Sequence, residues 1–198
     1  MTTGAAGSDR PAPGSVTARA AEPVTEPVTE PPSWATPAGP MVTVRLLGLP
    51  VPLMARAQEH SADLTRELTL IGESMRQRGD HAGLPVRLVL LVEQLSAPYS
   101  GFTVAQEQQL AEAQRDGLAS VDLTYRVPGS VTAAAAALGE VLDEADAYCR
   151  EGQHLLTLAT PDHLVAYRHW FLEQFIVQGA GGAAVSWPDY AVRHRVQP

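Results

Sequence analysis

The chain has 198 residues, a net charge of −8 and one cysteine. That length holds one domain of roughly 130 to 150 residues with its own core, and a lone cysteine excludes an internal disulfide. The acidic balance argues against nucleic acid, which needs clustered basic charge to displace counterions from phosphates. All 14 basic residues are arginine, so no lysine is available for a Walker-type phosphate loop, a Schiff base or a kinase ATP site. Asparagine is also absent. No run approaches the roughly 18 to 20 apolar residues of a membrane span, and "MTTGAAGSDRPAPG" lacks the basic-then-apolar pattern of a secretion signal. The expectation is a soluble, cytoplasmic protein with neither nucleic acid nor membrane as partner.

Residues 1–40 read as a disordered tail around "EPVTEPVTEPP", whose prolines favour solvated polyproline II over helix or sheet. "VTVRLLGL" (42–49), β-branched at its start and bounded by Pro50, predicts a strand. A long helix follows, with Leu53, Ala57, Leu64, Leu68, Ile71 and Met75 on one stripe. "PVRLVLLVEQLSAP" is apolar nearly all round; Pro85 at its first position favours helix over buried strand. The next helix opens on Thr103 and Gln106 in capping-box spacing and stops at Gly117. "VDLTYRV" (121–127) alternates, so it predicts a strand with Val121, Leu123, Tyr125 and Val127 inward. Ser130 caps an alanine-rich helix running to Gly152, and "HLLTLAT" allows a third short strand. Thr160 and Pro161 read as cap and first residue of a last helix over 161–178. The sum is a helix-dominant α+β fold: about five helices, a two- or three-stranded sheet, one domain over 41–178 and a loose C-terminal extension over 179–198.

"DEADAYCREGQH" (143–154) crowds carboxylates, the cysteine and a histidine together. On a helix, Leu138, Leu142, Ala145 and Cys149 share the apolar stripe, while Asp143, Asp146 and Arg150 fall on the opposite side. Thiol and carboxylates therefore diverge, whereas zinc or thiolate chemistry needs them to converge. His163 and His169, six apart, do not form a metal-binding pair, and His60 and His81 sit among solvent-facing charges. No G-x-S-x-G is present, and "GAGG" (179–182) follows a helix, the wrong context for a phosphate loop. No metal or cofactor site is expected. In the last helix Leu164, Tyr167, Phe171 and Phe175 lie in one arc with Val165, Leu172 and Ile176 in the next. Trp170 and Val177, with Glu173 and Gln174 beside them, fall on the other side as a candidate partner surface. The alternative cover for Trp170 is the chain's own C-terminus, through Trp187 and Tyr190.

Two stretches, "VRLLGLPVPLMARAQEHSADLTRELTLI" and "ADAYCREGQHLLTLATPDHLVAYRHWFLEQFIVQ", resemble a poorly characterised actinobacterial family. Its members occur beside the anti-sigma ATPases, STAS antagonists and PP2C-type phosphatases of stress-response partner switching. "LPVRLVLLVEQLSAPYSG" is similar to the helix that carries a glutamate and an asparagine in anti-sigma ATPases, with Glu93 in the glutamate's place. The metal-binding asparagine cannot exist here, and D-x-G-x-G is missing. The resemblance thus implies an interaction role stripped of ATP chemistry. The leading expectation is a non-enzymatic regulatory protein acting on another protein (an anti-sigma ATPase, a STAS protein or a phosphatase) or on a second copy of itself. The alternatives are a small-molecule sensor with an apolar pocket among its helices, and an enzyme of unrecognised class using Glu93 and His163 as acid and base.

Overall fold

The computed structural model describes residues 36–78, 84–150 and 159–196. Two segments far apart in sequence, β1 (Met41–Pro50) and β2 (Ser120–Pro128), pair antiparallel from Met41 opposite Pro128 to Pro50 opposite Ser120. Alternation sends Val44, Leu46, Leu123, Tyr125 and Val127 to one buried face, while Thr43, Arg45, Asp122, Thr124 and Arg126 stay exposed. The register slips between Leu46 and Leu49. There Gly48 adopts φ 64° and donates its N–H to Asp122 Oδ1 at 2.6 Å. The extra residue bends the strand so that Leu49 also points inward, and glycine alone takes that left-handed turn without strain.

A two-stranded ribbon is marginal by itself, and both of its edges offer unpaired backbone groups. Glutamines cover them. On the outer edge of β1, Gln178 accepts from Arg45 N–H and donates to Arg45 C=O, each at 2.9 Å. On the outer edge of β2, Gln106 donates to Thr124 C=O at 2.5 Å and Gln109 to Asp122 C=O at 3.4 Å. The edge groups agree with the register: Arg45 and Thr124 face each other as a pair, and their backbone groups turn outward on both sides. Gln106, read from the sequence as half of a capping box, serves the sheet instead. Thr103 meanwhile donates to Glu107 Oε1 at 2.5 Å.

The helices are α1 (Val51–Gln77), α2 (Leu84–Ser96), α3 (Val104–Arg115), α4 (Val131–Arg150), α5 (Asp162–Gly179) and α6 (Trp187–His194), with a 3₁₀ turn at Ala97–Phe102. Among the described residues this is the expected helix-dominant α+β fold, with six helices and a two-stranded sheet. The apolar run after Pro85 is helical, and the last long helix falls where the Thr160–Pro161 boundary predicts. Most of the expected third strand (154–160) and the expected tail up to residue 35 lie outside the described residues. The main core fills the ribbon's inner face with side chains from every helix but α2, and a smaller cluster joins Leu64, Leu68 and Cys149.

The C-terminal segment corrects the sequence reading. Residues 179–196 are not loose. Trp170 Nε1–H donates to Val185 C=O at 2.8 Å, and Val185 N–H donates to Gln174 Oε1 at 2.9 Å, so both backbone groups of Val185 are held by α5. Ser186 then caps α6, accepting from Asp189 N–H at 3.3 Å. Trp187 packs edge-on against Trp170 at 5.5 Å and against Tyr167 at 5.8 Å, and stacks on Tyr190. Trp170 and Gln174 are thereby buried to 0% and 1% exposure, so neither belongs to an outer surface. Val177 is half-buried and only Glu173 of that group is exposed. The chain's own C-terminus is the cover.

Replacing Trp170 by Ala should therefore cost the monomer roughly 3 kcal/mol or more, as loss of a buried aromatic does. Urea unfolding measures this; a loss under about 1 kcal/mol, with weakened self-association, would return Trp170 to the surface.

Candidate functional site

The polar groups that come together were not those singled out from the sequence. Asp146 lies on α4 between the apolar stripe and the wet face, and neighbouring helices widen the buried arc enough to enclose it at 1% exposure. Asp143 and Arg150 stay exposed, as expected. A buried carboxylate needs a cation and hydrogen bonds. Arg168 of α5 supplies the charge, its Nη2 lying 2.7 Å from Asp146 Oδ2 and 2.5 Å from Asp143 Oδ1. Thr160, read from the sequence as a helix cap, makes no side-chain capping bond and donates its hydroxyl to Asp146 Oδ1. His60 Nε2 stands 3.0 Å from the Thr160 hydroxyl oxygen. A threonine has one proton to give and Asp146 takes it, so His60 must donate through Nε2–H. At the outer end His169 Nε2 reaches Asp143 Oδ1 at 3.0 Å.

Two atoms in this chain of contacts stay unsatisfied. Arg168 Nε and Asp146 Oδ2 are buried without a hydrogen-bond partner among the described residues. The short Nη2–Oδ2 approach is an ion pair lying off the hydrogen-bond direction. An unsatisfied buried donor costs roughly 1–3 kcal/mol, so the burial of Arg168 Nε is a local cost that the ion pairs of Nη2 offset.

Arg168, Thr160 and His60 form the polar end of a chamber of about 490 Å³ between α1, α4 and α5. The remaining wall is largely apolar, from Met54, Leu64, Leu138, Leu142, Leu164, Phe171 and Leu172. A second chamber of about 370 Å³ shares Met54, Gln58, Leu138, Phe171 and Leu172 with the first and extends beneath the ribbon to Tyr125 and Val127. Burial, with the nearby charge of Glu107, pushes the Tyr125 phenol up to about 12. Burial likewise raises Tyr167 in the first chamber, with Tyr125 adding. Both rings are neutral wall. Asp143 feels partial desolvation, which raises it, but the hydrogen bonds and charges of His169 and Arg168 together leave it below its ordinary value.

Glu93 is exposed on α2 and His163 half-buried on α5. Neither makes a hydrogen bond or ion pair among the described residues, and nothing joins them into an acid–base pair. His81 and His154 lie outside the described residues. Cys149 is fully buried in the small cluster with Leu64 and Leu68. Burial and the adjacent Asp146 push its thiol up against a smaller opposing pull from Arg150. The signal that could have found the site is Arg168 itself: in "HLVAYRHWFLEQF" its guanidinium sits beside the apolar arc of Leu164, Tyr167 and Phe171, where burial by neighbouring helices demands a carboxylate partner.

No protein-family model matches the chain, and neither a curated protein nor a solved structure matches it.

The thiol offers a direct check. In the folded protein Cys149 should react with an aromatic disulfide reagent at pH 8 at least tenfold more slowly than in urea, because only the exposed thiolate attacks. Equal rates would mean that the cluster around Leu64 and Leu68 does not close over it.

Proposed function

We propose that the protein is a non-enzymatic regulatory domain whose input is a small, largely apolar molecule held between α1, α4 and α5. The observation that carries this reading is the first chamber, about 490 Å³ with an apolar wall and one polar end. That volume falls within the roughly 300–1,000 Å³ typical of small-molecule sites, as does the pattern of a greasy wall with few polar groups. The surface first assigned to a partner has lost its anchor, since Trp170 and Gln174 are interior. The polar end argues for binding over catalysis. The Thr160 proton is committed to Asp146 and the Asp146 charge is met by Arg168, so neither Thr160 nor Asp146 is placed to act as nucleophile or free base. An output toward an anti-sigma ATPase, a STAS protein or a phosphatase rests on the resemblance drawn from the sequence.

Titration with the neutral apolar dye N-phenyl-1-naphthylamine tests the reading. Saturable enhancement at one dye per chain is expected, with affinity falling at least tenfold in Leu142→Trp, whose indole occupies the chamber while circular dichroism remains native. Non-saturable binding, or equal affinity in the folded variant, would contradict it.

A further inference from the structure

The two chambers are divided by a wall one side chain thick, because Met54, Gln58, Leu138, Phe171 and Leu172 line both. Met54 is the most adaptable of these, an unbranched side chain that refits easily around a neighbour. The second chamber differs from the first in charge: among its described lining residues are one carboxylate, Glu107, and no arginine or histidine. Most of its hydroxyls are committed within the protein. Ser96 donates to Val92 C=O, Ser100 to Ala97 C=O, and Thr103 to Ser100 C=O or Glu107 Oε1, while Tyr99 is paired with Ser130. Tyr125 is the exception. Its ring comes off the inner face of β2 and sets edge-on to Phe175, leaving 7% exposure, yet its hydroxyl makes no hydrogen bond among the described residues. Nor is that oxygen sealed in. The buried side-chain atoms that are both closed off and unpartnered among the described residues are Gln106 Oε1, Asp146 Oδ2 and Arg168 Nε. The Tyr125 oxygen is not one of them, so it opens onto the chamber that its ring lines. Burial and the charge of Glu107 keep the phenol protonated at neutral pH, and buried tyrosine hydroxyls ordinarily have a partner. The second chamber therefore presents one reachable, unused donor.

We infer that the second chamber takes the polar end of a neutral amphiphile, whose ketone, ester or ether oxygen accepts from the Tyr125 hydroxyl while its apolar chain passes Met54 into the first chamber. This deepens the reading of the first chamber as an apolar site and rests on it. The neutrality follows from the lining. A carboxylate or phosphate there would lose hydration beside Glu107 with no cation to replace it. A neutral oxygen meets neither cost. Tyr167 is the competing donor: it lines the first chamber at 5% exposure, and its hydroxyl also makes no hydrogen bond among the described residues. Its ring is set against those of Trp170, Phe171 and Trp187, which leaves less room beside it for a ligand, so Tyr125 is the donor assigned.

Displacement of the naphthylamine dye from the full chain at pH 7.5 by decan-2-one, in the native protein and in Tyr125→Phe and Tyr167→Phe, tests this. Tyr125→Phe removes one atom that has no protein partner and keeps the ring against Phe175, so fold and dye affinity should be retained. Its ketone affinity should fall about fivefold, the scale of one neutral hydrogen bond. Tyr167→Phe should leave the ketone within about twofold of native, well inside that one-bond scale. In the native protein the ketone should displace the dye at a concentration at least tenfold below that needed for decanoate, a comparison that requires no variant. Ketone affinity unchanged in Tyr125→Phe, a loss confined to Tyr167→Phe, or decanoate equal to the ketone would each overturn the inference while leaving the first chamber standing as a site. Failure of the dye itself to bind would overturn both.

Discussion

The structure depends on a ribbon that cannot stand without its surroundings. Two strands with a bulge at Gly48 bury one face through Val44, Leu46, Leu49, Leu123, Tyr125 and Val127, and an isolated pair of this kind is at best marginally stable in water. Every requirement of the ribbon is met by a helix. Phe175 of α5 sets its ring edge-on to Tyr125 at 5.3 Å, α3 and α5 present glutamines to the two open edges, and α1 starts directly from the end of β1, with Val51 N–H bonded to Ala119 C=O at 3.1 Å. α5 touches the sheet, α1, α4 and α6 at once. These neighbours bury Leu164, Tyr167, Trp170, Leu172, Gln174 and Phe175 and leave a narrow exposed stripe through Asp162, His169 and Glu173.

The same arrangement leaves the chamber. The second chamber still borders the ribbon, whereas the described residues that bound the first come from α1, α4, α5 and Thr160. The half of α4 nearer the sheet is a run of alanines, which bring a helix close but fill little space; farther along, Leu138 and Leu142 are the α4 side chains that line the first chamber. Space that larger side chains would occupy in a close-packed interior stays open, and the Asp146–Arg168 pair closes its far end with charge. A buried pair of this kind is poor at stabilising a fold, because desolvation offsets most of its attraction. An apolar pair would pack as well, so the pair adds little to the stability of the fold.

Much of the fold was legible because strong local signals agreed with it. The alternation of "VDLTYRV", Pro85 ahead of the apolar run and the four-three-four spacing that buries Cys149 each reflect a single physical demand. The site was not legible in the same way. A helical wheel gives a residue's direction but not what packs against it, so it places Asp146 with Asp143 opposite the apolar stripe and leaves the cover of Trp170 open between a partner and the chain's own C-terminus, which α6 supplies. Thr160 and Gln106 sit where capping residues belong, yet their side chains answer stronger demands from a buried carboxylate and an open strand edge. In each case a long-range contact displaced a local preference.

The central claim is that an apolar molecule lodges between α1, α4 and α5, and leucine methyl NMR addresses it residue by residue. With methyl-labelled leucines and N-phenyl-1-naphthylamine added to saturation, the account predicts shifts at Leu138, Leu142, Leu164 and Leu172, which line the chamber, and direct cross-relaxation between those methyls and the dye's rings. Leu70, Leu90 and Leu118, which are exposed at 59%, 50% and 47%, should not move. Shifts confined to the exposed leucines, or no saturable shift at any leucine, would contradict the account.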